Sequence, residues 1–559
     1  MTTAVGGTAK RWHVKDAPEE TPAGPWPPLI GRLLANRGIS TAEQARDFLD
    51  GSAGPTSLTL PDLEPAAERL AQACKKGETV AVYGDFDVDG ITAAALLTES
   101  LGALGARPVP YLPHRVSEGY GLNTKAIETL RGLGATLLVT ADCGTSSIHE
   151  VAFARRQGMD VMILDHHTVP PHLPLGSLIV NPKRDANVTD EPAACGVAYY
   201  VLRALYETLG SAADEASMLE LVALGTVCDL APLVGDNRRL VREGLAALGK
   251  TARPGLRALF DVAGVDPNRV DTETIGYTLG PRLNAAGRMA HARIAFDLLV
   301  CDEEERAREL ATEIDALNRE RQAATERARE LAGELLAGEG DAPLLMLGHE
   351  EFPLGIVGLV AARLADAYQR PAVVYTLGEL ESRASARRIR GFDITAALRA
   401  CPDGTFVRFG GHRMAAGFTA ENERLPEIKE RLLATAAEQL AGRDLTPAIE
   451  IDAELPLSAL RGEEIRWLGR LAPHGIGNPE PAFLSRGVLV AELRTIGKDG
   501  AHLRLKLRDG PVVWPAIAFR QDGGGIAEGG RADLVYTISA ERRSRDGLEL
   551  RVLDLRPPE

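Results

Sequence analysis

The chain is 559 residues long, 45% hydrophobic and 25% charged, which fits a globular protein of several domains and excludes a disordered chain or a single core. No apolar run is long enough to span a bilayer and the N-terminus lacks the apolar centre of a secretory signal, so neither an anchor nor export is expected, and the cytoplasm is the expected compartment. A formal net charge of −15 repels phosphate, so a polyanionic ligand needs local clusters of Lys and Arg.

Residues 1–76 are Pro-rich and then helical in pattern. Ser40 is placed to cap the helix TAEQARDFL, with Glu43 at the capping-box position. The region reads as a cap on the neighbouring domain, without visible chemistry. Residues 77–301 alternate short apolar runs with helical patterns: TVAVY (79–83), RPVPYL, ATLLVT (135–140) and DVMIL (160–164). That alternation predicts a parallel sheet covered on both faces. Within residues 302–340, Leu310, Ile314, Leu317, Ala324, Ala328, Leu331 and Leu335 follow a 3-4 spacing broken only by Arg321. This predicts an amphipathic helix of about 50 Å at 1.5 Å per residue, joining two lobes. Residues 341–447 open a second α/β pattern with PLLMLG and PAVVY. Residues 448–559 are β-rich with many turns, the pattern of a small barrel or sandwich. Cys74, Cys143, Cys195, Cys228, Cys301 and Cys401 are scattered, which predicts free thiols and no structural zinc.

Three successive strand ends carry acids or imidazoles. The first offers Asp85, Asp87 and Asp89, the second Asp142, the third Asp165, His166 and His167. Asp229 follows the apolar helix LELVALGTV. In open α/β sheets the ligand crevice lies beyond the carboxyl ends of the strands. Any one of these aspartates is more often a turn residue or helix N-cap. The joint pattern points to a site, because crowded carboxylates repel one another unless cations neutralise them. Carboxylates with imidazoles suit Mn²⁺ or Mg²⁺, and a two-metal centre suits phosphoester hydrolysis. Gly84 and Gly90 flank the first cluster and are expected to allow a tight turn against phosphate.

Two later stretches reverse the overall charge. From 381 to 413 there are seven Arg against three acids, a local net of +4. FGGHRMAAGF (409–418) reads as a loop exposing backbone N–H groups to a phosphate, although a Gly-rich loop alone is a weak signal and an ordinary turn is the alternative. In HLRLKLRD (502–509), Arg504, Lys506 and Arg508 share one face of a strand, a candidate nucleic-acid surface, with simple solubility as the alternative.

GDFDVDG, TADCG, LDHH and GTVCDLAPL together resemble the four successive motifs of the DHH phosphoesterase superfamily. PHRVSEGYGLN (113–123), PRLNAAGRM (281–289), the GGH segment and APHGIGNPEPAF (472–483) extend the resemblance to the RecJ family, from about Trp12 to the C-terminus. The resemblance implies an α/β fold class: a parallel-sheet DHH domain (77–301), joined by a long helix to an α/β DHHA1 domain (341–447), then an OB-like β-barrel (448–559). It implies Asp87, Asp89, Asp142, His166 and Asp229 as ligands of two Mn²⁺ or Mg²⁺ ions, with Asp142 bridging them. Asp85 would support the first ion's shell and His167 would contact the scissile phosphate. Arg115 and Arg288 would lie against substrate. Ser385, Arg387, Gly411 and His412 would grip the terminal phosphate or nearby backbone. One departure is EEFPLGIVGLVAARL, which lacks the family's tryptophan at that turn.

The implied activity is a single-stranded-DNA-specific 5′→3′ exonuclease that releases mononucleotides in recombination and repair. The implied chain is a monomer off the membrane, working with a RecQ-type helicase and a single-strand-binding protein. The alternatives are a DHH phosphodiesterase for short oligonucleotides or cyclic dinucleotides, a manganese pyrophosphatase, and a relative that binds without catalysis. The intact acid and histidine set argues against the last.

Overall fold

The apolar runs that end in acidic residues become neighbours in one parallel sheet, in the order Arg107–Tyr111, Thr79–Gly84, Leu137–Ala141, Asp160–Leu164 and Leu178–Val180. The structure, a computed structural model, describes residues 10–51, 58–337, 341–412, 415–497, 500–521, 523–540 and 547–558. Side chains alternate across a strand, and here each strand feeds two cores. Val80, Val82, Val139 and Leu164 enter the larger core, while Ala81, Tyr83, Leu138 and Ile163 enter a second. Burial on both faces explains why these runs show no polar alternation.

The long helix spans Glu304–Leu336, 33 residues. Its first half adds Ala307, Leu310 and Ile314 to the parallel-sheet core. Its second half adds Ala324, Ala328 and Ala332 to another core. That second core lies against a five-stranded sheet in the order Arg408–His412, Ala415–Glu421, Glu381–Arg387, Ala372–Thr376 and Leu345–His349. Only the last two of these strands run parallel to each other. One helix therefore serves two cores in succession. Residues 57–444, which contain both sheets and the long helix, form one of the chain's two compact units.

The other unit unites residues 1–56 with 445–559. Strand Arg11–Val14 pairs in parallel with Ala448–Ile451. Strands Phe483–Ile496, His502–Asp509, Val512–Phe519, Leu548–Arg556 and Arg531–Ala540 form a barrel, closed by pairing of the first with the last. Ile30, Leu33, Leu34, Ala45 and Leu49 from the N-terminal helices share its core with Val490, Leu505 and Tyr536. The expected single region 1–76 is thus divided. Its first helices cover the barrel, whereas Leu63–Lys76 buries Leu70 and Cys74 in the parallel-sheet core. An apolar stripe shows that a helix is buried but not against which core. The cap also differs by one residue: Thr41, not Ser40, is the N-cap, in a reciprocal capping box with Gln44. Among the described residues no helix is long and apolar enough to cross a membrane.

Candidate metal centre and phosphate site

The turn after strand Thr79–Gly84 delivers three aspartates in five residues. Asp87 caps helix Val88–Ala103, accepting from the backbone N–H of Asp89 at 3.1 Å and Gly90 at 3.3 Å. Gly84 and Gly90 make the tight turn expected of them, and the close contact is backbone against backbone. A Cβ on Gly90 would lie 2.5 Å from Asp85 N, and one on Gly84 would lie 2.6 Å from Gly90 O. The two glycines let the strand end and the helix start press together, which fixes where Asp85 and Asp87 point. Asp89 is buried, and its carboxylate accepts from Ala194 N at 2.7 Å and Cys195 N at 2.9 Å, at the N-terminus of helix Ala194–Leu209.

Asp142 follows strand Leu137–Ala141 with φ +65°, a left-handed conformation that costs a non-glycine residue free energy and clusters at functional sites. Asp165 follows strand Asp160–Leu164 and is buried. It accepts from Thr145 N at 3.0 Å, His166 N at 2.8 Å and His167 N at 3.1 Å. Its Oδ1 also meets His167 Nδ1 at 2.7 Å. Asp229 directly follows helix Glu215–Cys228.

These residues converge. His166 Nε2 lies 3.2 Å from Asp142 Oδ1 and 3.8 Å from Asp89 Oδ2, and its Nδ1 lies 3.7 Å from Asp229 Oδ2. His167 Nδ1 lies 3.7 Å from Asp142 Oδ1. Three overlapping donor sets result: Asp85, Asp87 and Asp142; Asp89, His166 and Asp229; Asp142, His166 and His167. Within each, the donor atoms lie within 4.8 Å of one another. Asp142 belongs to two sets.

The electrostatics fit cations. Burial and then the charge of Asp87 push Asp85 up to about 8 and Asp89 to about 6. Burial and then the charges of Asp89 and Asp87 push Asp229 to about 9. Asp142, buried among four other aspartates, is raised well above the carboxylate range. Asp85 Oδ1 is buried without a hydrogen-bond partner among the described residues. Hard oxygen donors with imidazole, crowded and uncompensated, match Mn²⁺ or Mg²⁺. Asp165 behaves oppositely: burial alone would raise it, yet its bond to His167 holds it well below the carboxylate range, and the same bond raises His167 against its own burial.

Several guanidiniums around this cluster have no carboxylate partner among the described residues. Arg115 stacks over the Phe86 ring at 3.8 Å, and its Nε is buried with no hydrogen-bond partner among the described residues. Burial lowers its pKa while Asp85 and Asp87 oppose the change. Arg288 donates Nη1–H to Gly355 O at 3.2 Å. Ser385 and Arg387 share one face of strand Glu381–Arg387, and Arg387 Nη1 donates to Ser385 Oγ at 2.9 Å. A Cβ on Gly358 would lie 2.8 Å from Arg387 Nη2 and 3.0 Å from Ser385 Oγ. The Gly355–Gly358 stretch thus runs close to both Arg288 and Arg387.

The GGH stretch is not the expected loop. Arg408–His412 is the edge strand of the mixed sheet, with Gly410 opposite Gly417 and Gly411 opposite Ala416. A Cβ on Gly411 would lie 2.4 Å from Ala416 Cα, so glycine is required by strand-to-strand contact. The side chain of His412 lies outside the described residues, as do Arg413 and Met414. Arg504 and Lys506 belong to the other unit. They share a strand face as expected, but that face also carries acids: Lys506 Nζ lies 2.8 Å from Glu492 and Arg504 Nη2 lies 3.9 Å from Glu549. Other strands of the barrel, Phe483–Ile496 beside this one and Leu548–Arg556 beyond its neighbour, bring those carboxylates in.

Sequence reasoning missed three contributors. Asp165 was visible in LDHH but not as the residue that holds His167. Tyr120 stands edge-on to His167 at 5.6 Å, and its hydroxyl lies 3.3 Å from the His167 ring nitrogens and from Asp142 O. It sits between Gly119 and Gly121, both at positive φ, which was the available signal. The backbone of Ala194 and Cys195, which holds Asp89, left no mark in the side-chain pattern.

Comparison with known proteins agrees with this layout. The chain matches the DHH family N-terminal domain over residues 79–226, the DHHA1 domain over 341–441 and the RecJ OB domain over 451–554. It is 36% identical to the single-stranded-DNA-specific exonuclease RecJ of Bacillus subtilis over 92% of this chain and 66% of that protein. It therefore spans slightly less than two thirds of that relative. It is 33% identical to the protein of the same name from Salmonella typhimurium, over 97% of this chain and 98% of that one. The crystal structure of RecJ in complex with Mn²⁺ from Thermus thermophilus superposes with a TM-score of 0.83 at 30% identity, covering 98% of this chain and 80% of that one. A relative matched at this identity along almost its whole length shows that the chain belongs to the RecJ family.

Proposed function

We propose that the chain is a metal-dependent exonuclease that removes mononucleotides from the 5′ end of single-stranded DNA, in recombination and repair. The observation that carries this reading is the position of Arg115 and Arg288. Neither has a carboxylate partner among the described residues, and both feel the charge of Asp87 in the donor cluster. A phosphate placed between cations and guanidiniums satisfies both. The relatives' names, single-stranded-DNA-specific exonuclease, and the OB domain match support a single strand as the substrate.

Asp87, Asp89, Asp142, His166 and Asp229 would hold two Mn²⁺ or Mg²⁺ ions, with Asp142 between them and Asp85 in support. When bound, two such ions supply positive charge at the attacking and departing oxygens of phosphodiester hydrolysis. His167, held by Asp165 through Nδ1, offers Nε2–H to a non-bridging oxygen of the scissile phosphate. Arg115 stacked on Phe86 orients the same phosphate, and Ser385, Arg387 and the Gly411 strand engage the end of the chain. Arg504 and Lys506 contact the backbone of the strand in the barrel unit. We place the protein in the cytoplasm as a monomer, with a RecQ-type helicase and a single-strand-binding protein supplying the strand.

The test uses single-stranded DNA labelled at either end, with Mn²⁺, comparing wild type with Asp142→Asn. Progressive release of labelled mononucleotide from the 5′ end, absent in the variant, is the expected result. Survival of long DNA while dinucleotides or cyclic dinucleotides are cleaved would assign the metal centre to a small substrate instead.

A further inference from the structure

Residues 112–120 carry two side chains of the site, Arg115 over the Phe86 ring and Tyr120 beside His167. The turn between them is held from three directions. Glu118 Oε1 accepts from His114 N at 2.7 Å, and its Oε2 accepts from Tyr111 Oη at 2.6 Å and Asn123 Nδ2 at 3.0 Å. Val116 O accepts from Arg383 Nη1 at 2.7 Å, from the mixed sheet. The backbone N–H groups of Val116 and Ser117, the two residues after Arg115, both donate to His114 Nδ1, each at 3.2 Å.

A second histidine meets the first. The rings of His114 and His291 stand edge to face with centroids 5.6 Å apart. His291 follows helix Gly280–Met289, which carries Arg288, and its Nδ1 accepts from Arg293 N at 3.1 Å. The pair therefore joins the turn that bears Arg115 to the element that bears Arg288. An imidazole nitrogen that accepts from an N–H carries no proton, so both rings are neutral and keep their proton on Nε2. Protonation at Nδ1 sets N–H against N–H, and charging both rings sets like charges side by side. The charged groups around the pair are divided. Glu118 and Asp297 favour a cation, whereas Arg293, at the start of helix Arg293–Val300, opposes one. Arg115 itself, Arg383 at Val116 O and the Arg408 guanidinium beside Gly119 add to the opposition. The Tyr111 hydroxyl, kept protonated by burial, contributes no charge. Burial and then His114 hold His291 below the usual histidine range.

We propose that His114 is a positioning residue for Arg115, and that it holds the turn only while the His114–His291 pair is neutral. The proposal rests on the reading of Arg115 as a ligand of the substrate phosphate. Mild acid then loosens Arg115 by undoing the turn, a route separate from protonation of the metal ligands.

The experiment compares wild type, His114→Asn and His114→Ala as full-length Mg²⁺-loaded proteins at pH 8 and pH 5. Asparagine offers a side-chain oxygen to the N–H groups two and three residues on and has no proton to gain, so it rebuilds the turn without the switch. Alanine removes the acceptor. With 5′-labelled single-stranded DNA, His114→Ala should lose at least about tenfold in kcat/KM at pH 8, the scale of a misplaced catalytic contact, and His114→Asn should recover most of that loss. The share of kcat/KM kept at pH 5 should be at least about threefold larger in His114→Asn than in wild type, because only wild type has a histidine to charge at this turn. Losses at the carboxylates and at His167 are common to both proteins and cancel in that comparison. Equal pH profiles in wild type and His114→Asn, or full activity in His114→Ala, overturn the proposal. Amide hydrogen exchange over residues 114–119, corrected for the intrinsic effect of pH, needs no turnover. Protection of Val116 and Ser117 should fall on acidification in wild type and persist in His114→Asn. If wild type leaves DNA intact yet protection follows this pattern, the exonuclease reading falls and the proton-sensitive turn stands. Protection that survives at pH 5 in wild type removes the switch whatever the activity.

Discussion

Asp165 takes two hydrogen bonds from His167, one from its backbone N–H at 3.1 Å and one from its ring Nδ1 at 2.7 Å. The pairing fixes the ring and raises its pKa. The His167 contribution to stability is therefore complete below its unfolded pKa and is lost as pH rises through the folded value. Asp165→Asn should lower the His167 pKa and reduce activity by about 10–100-fold, as loss of an orienting partner does. NMR titration of the histidines in the metal-free protein measures the first effect, and an unchanged His167 titration would refute the link.

The acid cluster makes the metal-free protein lose stability as pH rises. Asp89, Asp85 and Asp229 titrate at about 6, 8 and 9 when folded, against about 4 when unfolded. The folded state holds more protons through that window, so stability falls between about pH 4 and 9. The melting temperature without metal should drop by at least ~3 °C from pH 5.5 to 8.5, and Mn²⁺ should stabilise more at the higher pH. A melting temperature that rises with pH in the chelated protein would contradict this.

Removing one charge should separate stability from activity. Asp142→Asn relieves a buried carboxylate that repels four others. Without metal the variant should melt ~1–3 °C higher than wild type, while the stabilisation by Mn²⁺ and the activity largely disappear. Thermal melting with and without Mn²⁺ reads both. A lower melting temperature without metal would mean that the carboxylates are not mutually destabilising.

Two glycine-to-alanine changes should have opposite signs. Alanine favours a helix by ~1 kcal/mol. At Gly333 the added methyl meets nothing within 4 Å, so Gly333→Ala should stabilise by ~0.5–1 kcal/mol. At Gly90 it meets the Asp85 backbone at 2.5–2.7 Å, and overpacking costs ~1–3 kcal/mol or more, so the clash wins. Gly90→Ala should melt lower and weaken Mn²⁺ binding by about tenfold, since Asp85 and Asp87 must move. Denaturant unfolding and calorimetric Mn²⁺ titration compare the two.

The strands and the acids at their ends were legible because burial on both faces writes continuous apolar runs, and each run stops at the residue that leaves the sheet. Asp85, Asp87, Asp142 and His166 could be placed in one crevice on that ground alone. The hold of the Ala194 backbone on Asp89 was not legible, since a backbone N–H has no letter. Nor was the pairing of Lys506 with Glu492, since cross-strand neighbours depend on a register fixed by turns and bulges. The GGH stretch misled because glycine serves a loop and a tight strand pair equally well. Arg321 was visible as a break in a stripe, but its hold on the buried Asn318 amide was not.

Because residues 1–56 and 445–559 share one core, the barrel unit is assembled from two segments that residues 57–444 separate along the chain. At ~5–20 residues per second, helices carrying Ile30, Leu33 and Leu49 wait tens of seconds for their partners, with apolar faces uncovered, while residues 57–444 are made and fold. Early chaperone contact should fall on the N-terminal segment rather than on the catalytic lobe. Deleting Pro28–Asp50 should therefore injure the same unit as deleting a barrel strand.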